Sequence, residues 1–295
     1  MNRKLTKETR MKLAGTKKKQ KQIFLESNED VTEAFIEGTG FAAVYTGSSS
    51  HIGTRNYQED SFFVTDASLS SENGAIKAFG IVCDGMGGLE NGSLASRLAT
   101  DMLKDVLEKV HTEENIEAIF KNVIYEIDFR VKEECTNEGG AGGTTLVAAI
   151  ILGKHLHWVG VGDSRVYVLR GKEIVQVTQD HIFKMQLLEN VDRGLIPQEV
   201  ADEHPQRNAL ISYVGSGDIK YINTNKAGLD LIHGDVVLLC SDGLTKSLSD
   251  ERISGIVQEY YGGMKEAAQQ LTLQSFDSGD GAKDNTTVVL MQFFE

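Results

Sequence analysis

Two kinds of apolar pattern divide the chain. Continuous runs of strand length occur at Phe41–Tyr45, Ser61–Thr65, Phe79–Cys83, Thr144–Leu152 and Val236–Cys240, with a closing run from Asp284 to Phe294. Runs this short and this apolar predict buried strands. His155–Val161 and Arg165–Leu169 predict a hairpin turned at Gly162–Arg165; His155 and His157 alternate on it, which reads as a solvent-facing strand edge in preference to a metal pair. Ser68–Gly74 reads as a hairpin loop and Ile219–Ile222 as a further strand. Elsewhere apolar residues recur every three or four positions, which predicts amphipathic helices. One is capped by Ser93 and shows Leu94, Leu98, Met102 and Leu103; a second starts at Thr112 and shows Ile116, Ile119, Phe120, Val123, Ile127 and Val131. Two more are expected at 250–261, behind Ser249 as N-cap, and at about 264–276. The stretch 182–207, which holds both prolines, reads as a surface insertion of the kind that shapes access to a site.

Composition narrows the class. The chain has 295 residues, 40% hydrophobic and 25% charged, as expected of a globular protein. No apolar run approaches the roughly eighteen residues of a membrane span, and the N-terminus lacks the apolar segment of a signal peptide. Cys83, Cys135 and Cys240 form an odd set without metal spacing and read as reduced core residues of a cytoplasmic protein. Charge is unevenly placed. Residues 1–21 carry +8 against −13 for the whole chain, so the remainder holds −21. Residues 1–40 are therefore expected to be a basic, flexible extension and 41–295 an acidic globular body. An acidic body disfavours nucleic acid as partner and suits divalent cations.

Acids cluster at the ends of the expected strands: Glu59, Asp60, Asp84, Asp163, Asp242 and Asp284. Two strands, each with a cysteine, run into Asp84-Gly85 and Asp242-Gly243. One Asp-Gly alone is a tight turn; two such pairs suggest a shared site. If the strands form common sheets, the carboxylates converge, and that many need cations to offset their repulsion. An all-oxygen donor set suits Mg²⁺ or Mn²⁺ better than zinc or copper. Two such ions about 3.5–4 Å apart form the clamp used in phosphoester hydrolysis, with a metal-bridging hydroxide as nucleophile. Arg55, four residues before Glu59, is the candidate for holding phosphate, because guanidinium matches phosphate oxygens bidentately. No cysteine is followed six residues later by arginine and no Asp-x-Asp occurs, which disfavours cysteinyl- and aspartyl-phosphate routes.

Arg55-x-x-x-Glu59-Asp60, Val82-Cys-Asp-Gly-Met-Gly-Gly88, Gly143-Thr-Thr145, Gly162-Asp-Ser-Arg165, Thr178-x-Asp-His181, Cys240-Ser-Asp-Gly-Leu244 and Asp284-Asn285 occur in this order. Over about residues 41–295 this pattern resembles the metal-dependent Ser/Thr protein phosphatases of the 2C type, and His204–Asn208 with Val214-Gly215 resembles the flap of bacterial members. The resemblance implies an α+β fold, a β-sandwich of two antiparallel sheets with helix pairs on both sides. It implies that Asp84 bridges two Mn²⁺ or Mg²⁺ ions and that the Gly85 carbonyl binds one. Asp242 and Asp284 would bind the other, and Glu59 and Asp60 would act directly or through water. Asp163 matches a position that holds a weaker third ion, and Arg55 the phosphate-binding arginine. Phosphoproteins made by a Ser/Thr kinase are the implied substrates, for a monomeric cytoplasmic signalling enzyme. Two positions depart from the pattern. Met86 stands where some eukaryotic members carry a proposed general-acid histidine, so a metal-bound water would protonate the leaving oxygen. Lys246 replaces an acid near the third ion and leaves that site in doubt. The alternative to an active phosphatase is a catalytically silent regulatory relative, which loss of a metal aspartate would mark; none is lost.

Overall fold

The computed structural model describes residues 42–66, 68–69, 76–87, 91–278 and 283–295. The basic extension and most of the Ser68–Gly74 loop lie outside the described residues. In chain order the elements are β1 (Ala43–His51), β2 (Asp60–Val64), β3 (Ser68–Leu69), β4 (Lys77–Met86), α1 (Asn91–Leu107), α2 (Ile116–Asn137), β5 (Gly143–Thr144), β6 (Leu146–Leu152), β7 (His155–Val161), β8 (Arg165–Arg170) and β9 (Glu173–Gln176). Then follow α3 (Phe183–Asp192), α4 (Gln198–Asp202), β10 (Asn223–Thr224), β11 (Leu229–Asp230), β12 (Val236–Cys240), α5 (Asp242–Thr245), α6 (Asp250–Glu259), α7 (Met264–Asp277) and β13 (Thr286–Phe294).

The strands form two antiparallel sheets, one ordered β3-β1-β13-β12-β8-β9 and one ordered β10-β7-β6-β4-β2, with β11 on β7 and β5 on β4. Their side chains explain why the central strands are apolar throughout. Along β4, Ala78 and Val82 face the other sheet, where they meet Val237, Leu239, Val289 and Met291. The alternate residues Phe79, Ile81 and Cys83 face α1 and α2. β12 does the same on the other side, with Leu238 and Cys240 packed on Ile253 and Ile256 of α6 and Leu271 of α7. Each central strand thus has two dry faces, so the period-2 polar alternation of a half-exposed sheet is missing. The α+β sandwich expected from the sequence is present, and all three cysteines are free and buried.

Several local expectations are corrected. β7 and β8 are not a hairpin: β7 pairs with β6 in one sheet, and β8 with β12 and β9 in the other. Gly162–Ser164 carries the chain across the sandwich, with Gly162 at φ 102°, a conformation that favours glycine. A turn signal marks where a strand ends but does not say which sheet the next strand joins. His157 is not on a solvent edge: it is 2% exposed, and it and His155 meet the two oxygens of Glu113 at 2.9 and 2.5 Å. α1 begins at Asn91, before Ser93, and its deepest row is Ala95, Ala99, Leu103 and Leu107. Leu94, Leu98 and Met102 are only partly buried; small residues let the helix sit close on the sheet. α2 begins at Ile116 behind Asn115 at φ 59°, not at Thr112. Residues 219–222 form no strand; the pairing segment is Asn223–Thr224 on β7.

Candidate metal centre

Every residue expected at the site comes to one end of the sandwich, and each wall of the cleft comes from a different sheet. β2 and β4 place Asp60 opposite Asp84 in register. β12 ends at Cys240 and Ser241 is the N-cap residue, so Asp242 opens the one-turn helix α5, and Asp284 stands just before β13. Asp163 sits on the crossover between the sheets. The cleft of about 480 Å³ is lined by Arg55, Glu59, Asp84, Gly85, Asp163, Asp242 and Asp284 among others. Asp60 lies behind this wall, 8% exposed. Asn208 and Leu210 reach the cleft from the segment after α4, which is tied back by the Ile182–Leu210 and Thr144–Val214 bridges.

The backbone around Asp84 is heavily constrained. The Thr145 amide and the Thr144 hydroxyl both donate to the Asp84 carbonyl at 2.9 Å, and the Asp84 amide donates to Thr145 Oγ1 at 3.0 Å. Gly85 donates to the Glu59 carbonyl at 3.1 Å. A Cβ on Gly85 would stand 2.5 Å from that oxygen and closer still to the Gly92 carbonyl, so only glycine fits. Asn285 organises the loop that carries Arg55 and Glu59. Its Oδ1 accepts from the Glu59 amide at 2.8 Å, and its Nδ2 donates to the carbonyls of Ile52 and Tyr57 at 2.8 and 3.1 Å. Ser241 Oγ donates to Asp60 Oδ2 at 2.8 Å and accepts from the Thr287 amide at 2.9 Å. The Thr178–His181 motif holds the crossover: His181 and Gly162 exchange bonds at 2.9 and 3.1 Å. Burial pushes the His181 imidazole down to about 4, against the pull of Asp180, and keeps it neutral. The sequence contained all these residues, but positioning roles for Thr145, Ser241 and Asn285 were not read from it; a hydroxyl or amide beside a strand-end acid was the available signal.

The electrostatics is that of crowded anions. Burial first, then Asp60, Asp242, Asp163 and Asp284, raises Asp84 well above the usual carboxylate range. Asp60 is pushed up to about 7, mainly by burial, against hydrogen bonds from Thr287 and Ser241. Asp163 is pushed up to about 7 by burial, then Asp242 and Asp180, with Lys246 opposing. Burial raises Asp242 and Glu59 as well. Glu59 Oε1, Asp60 Oδ1 and Asp242 Oδ1 are buried and have no hydrogen-bond partner among the described residues. Unpaired buried carboxylate oxygens are costly unless a cation takes them. Among the described residues no three acidic side chains close into a cage around one point. Mg²⁺ and Mn²⁺ do not need a cage, because such ions keep several waters and bind through a few oxygens. The donor set therefore fits hard divalent cations. Two basic groups meet these acids: Arg55 Nη2 lies 3.0 Å from Asp284 Oδ1, and Lys246 Nζ pairs with Asp242 and Asp284.

The profile of the family described as Protein phosphatase 2C matches residues 48–276. The chain belongs to the protein phosphatase 2C family, in its bacterial serine/threonine branch. The chain is 32% identical over 217 residues to the serine/threonine phosphatase stp of Listeria welshimeri, covering 72% of this chain and 83% of that one. Protein phosphatase PhpP of Streptococcus pneumoniae is 32% identical over 218 residues, covering 73% and 85%. The crystal structure of Mycobacterium tuberculosis PstP/Ppp superposes with a TM-score of 0.70 at 28% identity, covering 86% of this chain and all of that one. A structure of the PstP catalytic domain in complex with two manganese ions gives a TM-score of 0.67 at 26% identity, covering 86% and 100%.

Proposed function

We propose that the protein hydrolyses phosphoserine and phosphothreonine on proteins in the cleft between Asp84 and Asp284, with two Mn²⁺ or Mg²⁺ ions. The supporting observation is the convergence of carboxylates from both sheets beside Arg55. Asp84 and the Gly85 carbonyl would hold one ion, with Asp84 shared, and Asp242 and Asp284 the other. Glu59 and Asp60 would hold coordinated water, and Asp163 would face any third ion. When bound, the ions supply a bridging hydroxide as nucleophile and charge to stabilise the phosphoryl transition state. Arg55, 54% exposed at the cleft's mouth, receives the phosphate oxygens and trades its bond to Asp284 for them. Met86 lines the cleft and offers no proton, so the leaving oxygen takes its proton from cleft water.

Proteins phosphorylated by a Ser/Thr kinase are the substrate class. We place the enzyme in the cytoplasm as a monomer; among the described residues no helix is long and apolar enough to cross a membrane. The test is hydrolysis of an aryl phosphate and of a phosphothreonine peptide with Mn²⁺, with Mg²⁺ and with EDTA. Turnover is expected with the ions, lost in EDTA, and reduced by roughly 10³-fold in a folded Asp242→Ala variant. Folded wild-type protein that turns over neither substrate with either ion would favour the silent regulatory alternative.

A further inference from the structure

Lys246 is the second basic group paired with acids of the cleft, and its place follows from local geometry. α5 is a single helical turn, Asp242–Thr245, and the Lys246 amide donates to the Asp242 carbonyl at 2.8 Å. Residues four apart on a helix share a face, so the Lys246 stem turns back over Asp242. Its ammonium pairs with Asp242 Oδ2 and reaches Asp284 Oδ2 at 3.4 Å. Arg55 takes the other oxygen of Asp284. Asp242, just after β12, and Asp284, just before β13, are therefore tied by one cation on the two carboxylates proposed to hold an ion. The described ion pairs of Lys246 go to these two residues alone.

We propose that Lys246 is a tethered stand-in cation: its ammonium neutralises the Asp242–Asp284 pair in the metal-free enzyme and competes with the divalent ion for it. This rests on the metal-dependent reading above. A compact ammonium on a four-carbon stem is well suited to the exchange. The side chain is 59% exposed, so it can swing into solvent when an ion arrives. One consequence is asymmetry, with the ion beside Asp84 bound before the ion beside Asp242. Another is that the pair stays ordered without metal, because its mutual repulsion is offset in advance.

The experiment is equilibrium Mn²⁺ binding, followed by calorimetry and by the electron-spin signal of free Mn²⁺, together with melting of the metal-free protein. Wild type, Lys246→Gln and Lys246→Arg are compared. Lys246→Gln is expected to tighten the weaker Mn²⁺ site by roughly tenfold, the removal of about 1.4 kcal/mol of competition, and to melt several degrees lower without metal. Lys246→Arg keeps the charge and is expected to leave the weaker Kd within about twofold. It also carries the comparison if the Gln variant does not fold without metal, because a Kd shifted several-fold in Lys246→Arg would count against competition by charge. An unchanged or weakened Mn²⁺ site in Lys246→Gln overturns the proposal. Wild-type protein that takes up no Mn²⁺ overturns the metal reading itself, and so is distinguished from failure of the role given to Lys246.

Discussion

The two walls of the cleft hold the same kind of side chain under opposite conditions. On the β2–β4 wall, Asp60 is buried with its carboxylate held by the Ser241 hydroxyl, Asp84 is half-buried with its backbone held by Thr144 and Thr145, and each has its pKa raised by burial and by the other acids. On the β12–β13 wall, Asp242 and Asp284 meet Lys246 and Arg55. One wall has no cation against it; on the other, flexible cations offset part of the charge, although burial still raises Asp242. A rigid pair of buried acids makes a tight, preorganised ion site at the expense of metal-free stability, whereas a pair closed by movable cations exchanges its occupant. The trade of stability for function is thus concentrated on one sheet.

Removing Asp84, the acid proposed to bridge the ions, should break the comparison most sharply. Asp84→Ala is expected to lower kcat by at least roughly 10³-fold while raising the melting temperature of the metal-free protein, since a repelled buried acid is deleted. A steady-state assay and a melt in EDTA check both halves; a variant that melts lower in EDTA would contradict the stored-repulsion account.

A pH series comes next. Asp60 titrates at about 7 in the folded protein against 3.8 as its ordinary value, so the folded state holds the proton more tightly. Its stabilising contribution is complete below the ordinary value and is lost as pH climbs through the folded one. For Asp60 alone that is on the order of 4 kcal/mol, and Asp163 shifts the same way. Metal-free protein should therefore lose stability between about pH 4 and pH 7. Mn²⁺ should raise the melting point far more at pH 7.5 than at pH 5. Melting curves at both pH values, with and without the ion, decide it; equal stabilisation by Mn²⁺ at both would refute the linkage.

The smallest effect belongs to the movable side. Arg55→Ala should raise KM about tenfold and change kcat less, with the melting temperature nearly unmoved because an exposed pair contributes little. An unchanged KM would argue that Arg55 serves only Asp284.

How far the sequence reached can be judged strand by strand. Phe79–Cys83 was legible because both of its faces are dry and every position had to be apolar. Asp84, Asp242 and Asp284 were legible because a charged residue at the end of such a run has few structural explanations. The His155–Leu169 hairpin was misread because Gly162-Asp-Ser carries the same turn chemistry whether the chain folds back or crosses to another sheet. His157 was misplaced because strand alternation does not tell which face a neighbouring segment will cover, here the segment carrying Glu113. Asn285 stood in the motif, but its bonds to Ile52, Tyr57 and Glu59 span more than two hundred residues of chain.

By itself, then, the sequence determined the buried strands, the amphipathic helices, the oxygen-only donor set and the resemblance to the family. These follow from local period, local composition and residue type. Tertiary structure alone decided which sheet each strand joins, which wall of the cleft meets basic side chains, and that the Lys246 ammonium closes the gap between Asp242 and Asp284. Those are relations between segments far apart in the chain, settled by burial and by distances of a few ångströms that no local pattern encodes.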